Sequence, residues 1–282
     1  MINYYLLTKP GIILGNLITV AAGFLLASKN TIDLWLFFAT LIGLSLIIAS
    51  ACVFNNYIDR ALDKKMKRTK DRALAIGSIS EINAIIFAIF LGIIGNLVLF
   101  LYTNFLTAFI ADIGFFVYVV LYSIWKGRTI YSTAIGSIAG AVPPVAGYCA
   151  ASNLFDIGAM ILFIMLVLWQ MPHFFSIAVY HFNDYVKAEI PVLPIRKGML
   201  TTKIHMLLYI LGFILASLML AAFNYMGSAY TVVTVSTGLL WLGLCIKGFK
   251  SNNDQLWGQH MFRLSLLVII STCFVIPFSM IS

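Results

Sequence analysis

Residues 34–63 read LWLFFATLIGLSLIIASACVFNNYIDRALD, and this stretch decides the fold class. Its first two thirds are almost entirely apolar and long enough to cross a bilayer, which takes about 20 helical residues. It ends in a polar row of Asn55, Asp59 and Asp63, spaced i, i+4 and i+8. On a helix this spacing places all three side chains on one face. The stretch therefore predicts a membrane helix whose last turns present two carboxylates and an amide at an aqueous mouth.

A cluster of basic residues follows this acidic row. Carboxylates are hard oxygen ligands for a divalent metal, and nearby cations neutralise the charge of a phosphate group. An ordinary helix end, with the acids paired to Arg60 and Lys64, is the simpler alternative. Acids near a membrane span are costly and usually functional, so we favour metal or phosphate chemistry. We expect Arg68 and Arg72 to contact the ligand, whereas topology alone explains the lysines of the cluster: Lys64, Lys65, Lys67 and Lys70.

The composition excludes a soluble protein. The chain has 282 residues, of which 62% are hydrophobic and 10% charged, whereas soluble domains carry roughly 25% charged residues. Its sequence pI near 9.3 does not indicate nucleic-acid binding, because little polar surface remains on which to build a basic groove. The cysteines all fall in apolar segments without pairing or metal-ligand spacing, and we interpret them as core hydrophobes: Cys52, Cys149, Cys245 and Cys273.

The apolar segments predict an all-α polytopic membrane protein. We expect a bundle of nine transmembrane helices with a central cavity that opens to the cytoplasmic side, within one domain over residues 1–282. The predicted spans are 10–28, 34–57, 80–101, 104–125, 132–151, 156–181, 203–224, 228–249 and 258–280.

The positions of Lys and Arg predict the orientation, because cytoplasmic loops carry an excess of both. With the N-terminus inside, every Lys and Arg except Lys29 lies in or near an inside segment. We therefore expect an integral membrane protein with its N-terminus and both long loops in the cytoplasm. The inside segments are 1–9, 58–79, 126–131, 182–202 and 250–257.

The two long loops follow the second and sixth spans, and this spacing of four spans suggests an internal repeat. The repeat would comprise residues 10–131 and 132–250, with a ninth helix at 258–280. Membrane proteins built from repeats often place a site at the repeat interface.

The second long loop carries Asp184, which ends the sixth span much as Asp59 ends the second. One aspartate is a weak motif, and its value comes from this matching placement. Lys126 and Arg128, at the inner end of the fourth span, are either topology anchors or further phosphate contacts.

Polar groups and helix breakers also occur inside the spans. Pro172 is expected to kink the sixth span and free backbone carbonyls, with Gln170 and His173 facing the interior. A break in the fifth span at residues 140–144 would open space for a bulky ligand. We expect Asn16 to hydrogen-bond across helices, and Asp112 has no identifiable partner in the sequence.

His173 and His181 lie eight residues apart beside an acidic loop. A lone histidine on an apolar face is more often a core residue than a ligand. Because this pair flanks an acidic loop, a functional role for one of the two is the second hypothesis.

These motifs resemble the UbiA-type intramembrane prenyltransferases and, within them, the heme O synthase (protoheme IX farnesyltransferase) group. The resemblance covers nearly the whole chain. Asn56 stands where quinone-type members usually carry Asp. The matching motifs are Lys9-Pro10-Gly11, Asn55-x3-Asp59-x3-Asp63-x4-Arg68-Thr69-x2-Arg72, Gly77-x2-Ser80, Gly136-x3-Gly140-Ala141-x-Pro143-Pro144, Pro172-His173-Phe174 and Asp184-Tyr185-x5-Pro191.

The resemblance implies that farnesyl diphosphate binds through Mg²⁺ between the two acidic loops, and that heme B accepts the farnesyl group at a vinyl group. A dry apolar cavity would protect the carbocation. One of His173 and His181 would ligate the heme iron, since imidazole is a common iron ligand, or His173 would act as a base. The resemblance also implies location in the bacterial cytoplasmic (inner) membrane, and a heme-modifying or oxidase-assembly protein is a candidate partner. We assign catalysis to Asp59, Asp63 and Asp184, metal binding to these and Asn55, diphosphate binding to Arg68, Arg72, Lys126 and Arg128, and heme binding to His173, His181, Asn16 and Tyr185.

Two other functions remain open. A quinone-pathway prenyltransferase would share the first acidic motif but would take an aromatic acceptor. A transporter of an anionic substrate would also use broken helices and polar groups at mid-membrane, but it has no evident need for an acidic row at one membrane face.

Overall fold

The computed structural model describes residues 2–28 and 31–279. Within these residues nine helices are long and apolar enough to span a membrane, which confirms the predicted all-α membrane architecture. In chain order, α1 to α9 are Pro10–Ser28, Leu34–Asp63, Glu81–Tyr102, Phe105–Trp125, Ser132–Ser152, Ile157–Tyr180, Met199–Ala222, Ser228–Lys250 and Asp254–Phe278.

Helix α2 extends beyond the predicted membrane span of residues 34–57. It starts after the cap Asp33, whose side chain accepts a hydrogen bond from the Leu36 amide at 3.0 Å. It then continues to Asp63 instead of ending at residue 57. The polar row therefore stays on one continuous helix face. Residue 280, the predicted end of the ninth span, and Lys29 lie outside the described residues.

The helices alternate in direction, so every basic loop lies at the same end of the bundle, which we call the mouth end. Three short helices lie there as well: Ile2–Leu7, Phe182–Lys187 and Leu193–Arg196. Helix α1 packs mainly against α5, α2 against α3, and α6 against α5, α7 and α9. This packing places α1, α2, α4, α5, α6 and α9 around a common interior.

The contact between α1 and α5 depends on glycine. A Cβ at Gly23 would lie 2.0 Å from the Pro144 carbonyl oxygen, and a Cβ at Gly147 would lie 2.4 Å from that of Val20. Small residues let membrane helices approach closely, because association in lipid relies on packing.

The predicted break at residues 140–144 is wrong. Helix α5 runs without interruption through Pro143 and Pro144, and α6 likewise runs through Pro172. A proline removes only one intrahelical hydrogen bond, and neighbouring helices can support the backbone at that point. Helix α1 packs closely against α5 at this point, since Gly23 lies against Pro144.

The outer surface of the bundle is apolar, as lipid contact requires. Phe90, Phe100 and Phe274 are all exposed. Asp112 is the polar exception that the sequence leaves unexplained. Its Oδ1 accepts a hydrogen bond of 2.9 Å from Asn96 Nδ2 on α3, so a neighbouring helix satisfies part of its hydrogen-bonding capacity.

Candidate active site

A cavity of about 680 Å³ opens among the helices that surround the interior. Its walls are mainly aliphatic and aromatic. Eight residues of the predicted site line it: Asn16, Asn55, Asp63, Arg68, Arg72, Lys126, His173 and Tyr185. The other polar residues of the lining are Lys9, Thr19, Thr69, Tyr118, Tyr122, Ser132, Thr133 and Gln170.

Asn55 and Asp63 of the acidic row line this cavity, whereas Asp59 lies outside its lining, and all three residues are buried. Asp59 is 1% exposed and Asp63 is 3% exposed. Asn55 Nδ2 donates to Asp59 Oδ2 at 3.1 Å, as the i, i+4 spacing allows. Asp59 Oδ2 also forms an ion pair with Lys126 Nζ. The expectation that these acids face water at an open mouth is therefore wrong, because each is covered by its partners.

Arg72 neutralises the second acid of the row. Its Nη1 donates to Asp63 Oδ1 at 3.0 Å and to Asp63 Oδ2 at 2.9 Å. Thr69 supports the turn between them, since its hydroxyl donates to the Asp63 carbonyl at 3.1 Å. The loop after α2 therefore folds back and places Arg72 against Asp63.

Lys9, the residue directly before α1, also belongs to the site. Its Nζ donates to Asn55 Oδ1 at 2.6 Å. Burial lowers its pKa from the usual value to about 8, so the charged form is costly there and a bound anion would stabilise it. Sequence reasoning assigned Lys9 no role in the site. Its position directly before the first span, next to the predicted mouth, was the available signal.

Lys126 carries a stable charge at the same place. Burial lowers its pKa, but the neighbouring Tyr122 and Asp59 outweigh this effect and leave the pKa above its usual value. The structure therefore brings Lys126 to the acidic row, whereas Arg128 is exposed and lies outside the cavity lining.

Asp184 lies in the second loop, apart from the acidic row. Its Oδ1 accepts a 3.3 Å hydrogen bond from the Lys67 amide, and its Oδ2 lies 4.0 Å from His181 Nδ1. Within the described residues no three acidic, histidine or cysteine side chains lie close enough to hold a metal. The structure therefore links the two loops through Asp184 without bringing it together with Asp59 and Asp63.

Arg68 remains available for a ligand. It is exposed, lines the cavity and lies over the Tyr185 ring at 6.0 Å. In the part of the chain that the structure describes, it forms no ion pair. The structure thus brings Arg68 and Tyr185 together at the mouth.

The two candidate histidines differ in placement. His173 lines the cavity, where its ring stacks on Trp169 with centroids 4.8 Å apart. His181 lies outside the cavity lining, and burial lowers its pKa, with Arg68 contributing. Asn16 lines the cavity, but its Nδ2 donates to the Ile12 carbonyl at 2.8 Å on its own helix. The predicted hydrogen bond from Asn16 to another helix is therefore wrong.

Two tyrosines of the cavity were missed by sequence reasoning. Residues Val117–Tyr122 of α4 form a π-helical segment, and such segments occur often at functional sites. It presents Tyr118 and Tyr122 as stacked rings, with centroids 5.5 Å apart and planes 11° from parallel. Both line the cavity next to the acidic row.

The donor set at the mouth fits a magnesium ion. Mg²⁺ is usually held by one or two carboxylates plus substrate phosphates. Asp59 and Asp63 supply two carboxylates on one helix face, with the Asn55 amide beside them. Asp59 pairs with Lys126 and Asp63 pairs with Arg72. A bound diphosphate would attract these two cations, and the metal would take their place beside the carboxylates.

Comparison with known proteins gives the family. Residues 16–267 match the UbiA prenyltransferase family. The chain is 58% identical to a protein of Protochlamydia amoebophila (strain UWE25) over the full length of both chains. It is 51% identical to one of Edwardsiella ictaluri (strain 93-146), across 95% of this chain and 91% of that protein. Both relatives are named protoheme IX farnesyltransferase.

Solved structures agree on the fold. A structure of digeranylgeranylglyceryl phosphate synthase matches with a TM-score of 0.80 at 18% identity, over 98% of this chain and 96% of that one. A UbiA homolog from Archaeoglobus fulgidus bound to GPP and Mg²⁺ matches with a TM-score of 0.73 at 16% identity, over 98% and 99%. Since the family match spans most of its length and the relatives are more than half identical, the chain belongs to the UbiA prenyltransferase family.

Proposed function

We propose that this prenyltransferase transfers the farnesyl group of farnesyl diphosphate to a vinyl group of heme B. The vinyl group becomes a hydroxyethylfarnesyl chain, and the product is heme O. The relatives that share half or more of its sequence over nearly their full length are named protoheme IX farnesyltransferase. The observation that carries the proposal is a largely apolar cavity whose mouth holds a buried acidic row and several cations.

The charges at the mouth favour an anionic group. Four cations belong to this part of the cavity: Lys9, Arg68, Arg72 and Lys126. Two of them pair with Asp59 and Asp63, which leaves a positive surplus in the described site. A diphosphate would complete the charge balance, since phosphate oxygens form strong hydrogen bonds with charged donors.

The same donors would assist departure of the diphosphate. Asp59 and Asp63, with Asn55, would hold Mg²⁺, which would supply electrophilic neutralisation of the leaving diphosphate. Arg68, Arg72 and Lys126 would donate hydrogen bonds to the phosphate oxygens and neutralise their charge. Preorganised cations of this kind stabilise charge that develops as the carbon–oxygen bond breaks.

The interior of the cavity suits an isoprenoid chain and a flat acceptor. Aliphatic residues of α1 and α2 line the cavity, including Ile12, Leu44 and Ile48. Aromatic residues of α4, α6 and α9 also belong to the lining. Such walls exclude water from the reactive carbon. Asn16, His173 and Tyr185 lie in the same lining and are our candidate acceptor contacts.

One assay separates this function from its alternatives. Membranes that contain the protein are incubated with farnesyl diphosphate and equal amounts of heme B and a hydroxylated aromatic acid. The masses of the extracted products are then determined by mass spectrometry. A farnesylated heme supports the proposal. A prenylated aromatic acid would indicate the quinone-pathway function, and uptake of diphosphate without either product would indicate a transporter.

Arg68→Ala should raise the KM for farnesyl diphosphate. Loss of one charged hydrogen bond costs about 1.5–3 kcal/mol, so we expect an increase of about tenfold or more. Arg128→Ala serves as the matched control, because Arg128 is an exposed arginine at the same end of the bundle but outside the cavity lining. An unchanged KM in Arg68→Ala would remove Arg68 from the diphosphate site.

Labelling of introduced cysteines should report both long loops on the cytoplasmic side. Ser78 and Lys197 are exposed positions in these loops, and all four native cysteines are buried. Ser78→Cys and Lys197→Cys should therefore react with a membrane-impermeant maleimide only after the membrane is opened. Reaction from outside in intact cells would contradict the proposed orientation in the bacterial inner membrane.

A further inference from the structure

The hydrogen bonds of Ser265 fix the tautomer of His173. Ser265 Oγ donates its single proton to the Phe262 carbonyl at 2.6 Å. The same oxygen lies 2.7 Å from His173 Nδ1, where it can only accept. The Nδ1 atom of His173 must therefore carry the proton, which leaves a free lone pair on Nε2 of the neutral ring.

The ring of His173 is also held in orientation. It stacks on Trp169 with planes 23° apart and lies 5.2 Å from the Phe262 ring. Trp169 Nε1 donates to the Ser265 carbonyl at 2.9 Å, which ties α6 to α9 at this point. Ser265 is fully buried behind the ring, while His173 itself lines the cavity. The basic Nε2 edge is therefore the edge directed away from Ser265 and toward the cavity.

Gln170 lies one helical turn before His173 in the same lining. It is only 5% exposed, and within the described residues its amide forms no hydrogen bond. A buried amide without a partner is costly unless a water or ligand binds it. Gly140 makes room for it, since a Cβ there would lie 2.2 Å from Gln170 Oε1.

We propose that Gln170 and His173 hold and activate the water that supplies the hydroxyl group of the product. This inference rests on the proposed farnesyl transfer to heme B. The terminal vinyl carbon bonds to C1 of the farnesyl group as the C1–oxygen bond breaks and its electron pair leaves with diphosphate. Positive charge then develops on the vinyl carbon next to the porphyrin.

The water completes the reaction. Its oxygen bonds to the charged carbon, and its proton passes to His173 Nε2. The balance is farnesyl diphosphate, heme B and water giving hydroxyethylfarnesyl heme, diphosphate and one proton. If no water is held at this point, the cation loses a proton from the adjacent methylene instead. The product is then an alkene that is lighter by one water.

Product identity therefore tests the inference. The protein in lipid nanodiscs is incubated with farnesyl diphosphate, heme B and Mg²⁺ in water enriched in oxygen-18. The masses of the extracted hemes are determined by mass spectrometry. The parent protein should incorporate heavy oxygen. In His173→Phe and Gln170→Met the ratio of hydroxylated to alkene product should fall at least about tenfold, because a positioned base contributes about 100-fold or more.

Three further variants keep the test decisive. His205→Phe is the matched control, since His205 lies on α7 outside the cavity lining, and its product ratio should equal that of the parent. Ser265→Ala frees His173 to adopt the other tautomer and should lower the ratio. Ser271→Ala should not, because Ser271 donates to the Val268 carbonyl at 3.0 Å on the same helix.

The outcomes separate cleanly. An unchanged product ratio in His173→Phe and Gln170→Met would overturn the inference. If His173→Phe makes no farnesylated heme, an unchanged ratio in Gln170→Met and Ser265→Ala would overturn it. A shifted Soret band in His173→Phe with the parent product ratio would indicate iron ligation and would also overturn it. A parent protein that makes no farnesylated heme would contradict the proposed function itself.

Discussion

Asp59→Asn and Asp63→Asn are each expected to lower turnover by at least about 100-fold, which is the scale of losing one preorganised electrostatic contact. Asparagine keeps the shape but removes the charge that would hold a divalent metal. Each variant also releases a cation that the carboxylate now pairs with, Lys126 or Arg72. Initial rates of heme farnesylation across a range of Mg²⁺ concentrations measure the effect.

Burial of both acids makes a stability control necessary. Removing one partner of a buried ion pair can cost about 3–5 kcal/mol, so thermal denaturation of each variant in detergent must accompany the kinetics. Asp71→Asn is the matched variant, since Asp71 is an exposed aspartate in the same loop. A folded Asp59→Asn or Asp63→Asn variant with near-parent, Mg²⁺-dependent turnover would show that the metal assignment is wrong.

Gly23→Val is expected to lower the free energy of unfolding by about 3 kcal/mol or more, the upper range for overpacking. Its new side chain would collide with the Pro144 backbone, which cannot move without displacing α5. Because α1 and α5 both line the cavity, activity should fall as well. Denaturation in mixed micelles, followed by circular dichroism, measures the loss.

Gly243→Val is the matched control for this prediction. No heavy atom lies within 4 Å of a Cβ at Gly243, so the same exchange on α8 should change stability little. If Gly23→Val is as stable as Gly243→Val, the close contact between α1 and α5 does not hold the bundle together.

Local patterns in the sequence predicted most of the architecture. The bilayer demands long apolar segments, so the nine spans could be located without tertiary information. Spacing along one helix placed Asn55, Asp59 and Asp63 together because i, i+4 neighbours share a face. Both kinds of inference depend only on short-range geometry.

Contacts between distant parts of the chain were the main omission. Lys9 and Asn55 are 46 positions apart, and His173 and Ser265 are 92 positions apart. Nothing in local spacing connects such pairs, since packing of α1 on α2 and of α6 on α9 creates them. The burial of Asp59 was missed for the same reason, because its cover comes from Lys126 at the end of α4.

Proline also misled the sequence interpretation. Pro143 and Pro144 are breakers in soluble helices, but α5 continues through them under the cover of α1. The predicted internal repeat, the role of Asp184 in metal binding and the heme-modifying or oxidase-assembly partner all stay predictions. Each depends on relationships that the contacts within one chain do not report.

The central claim is that one cavity, with its acidic row, joins a farnesyl group to heme B. Purified protein in lipid vesicles, given farnesyl diphosphate, heme B and Mg²⁺, tests it most directly when heme mass and diphosphate release are followed together. We predict one diphosphate released per heme that gains a farnesyl group, and neither product with a Mg²⁺ chelator or in Asp63→Asn. Diphosphate release with heme of unchanged mass would contradict the account.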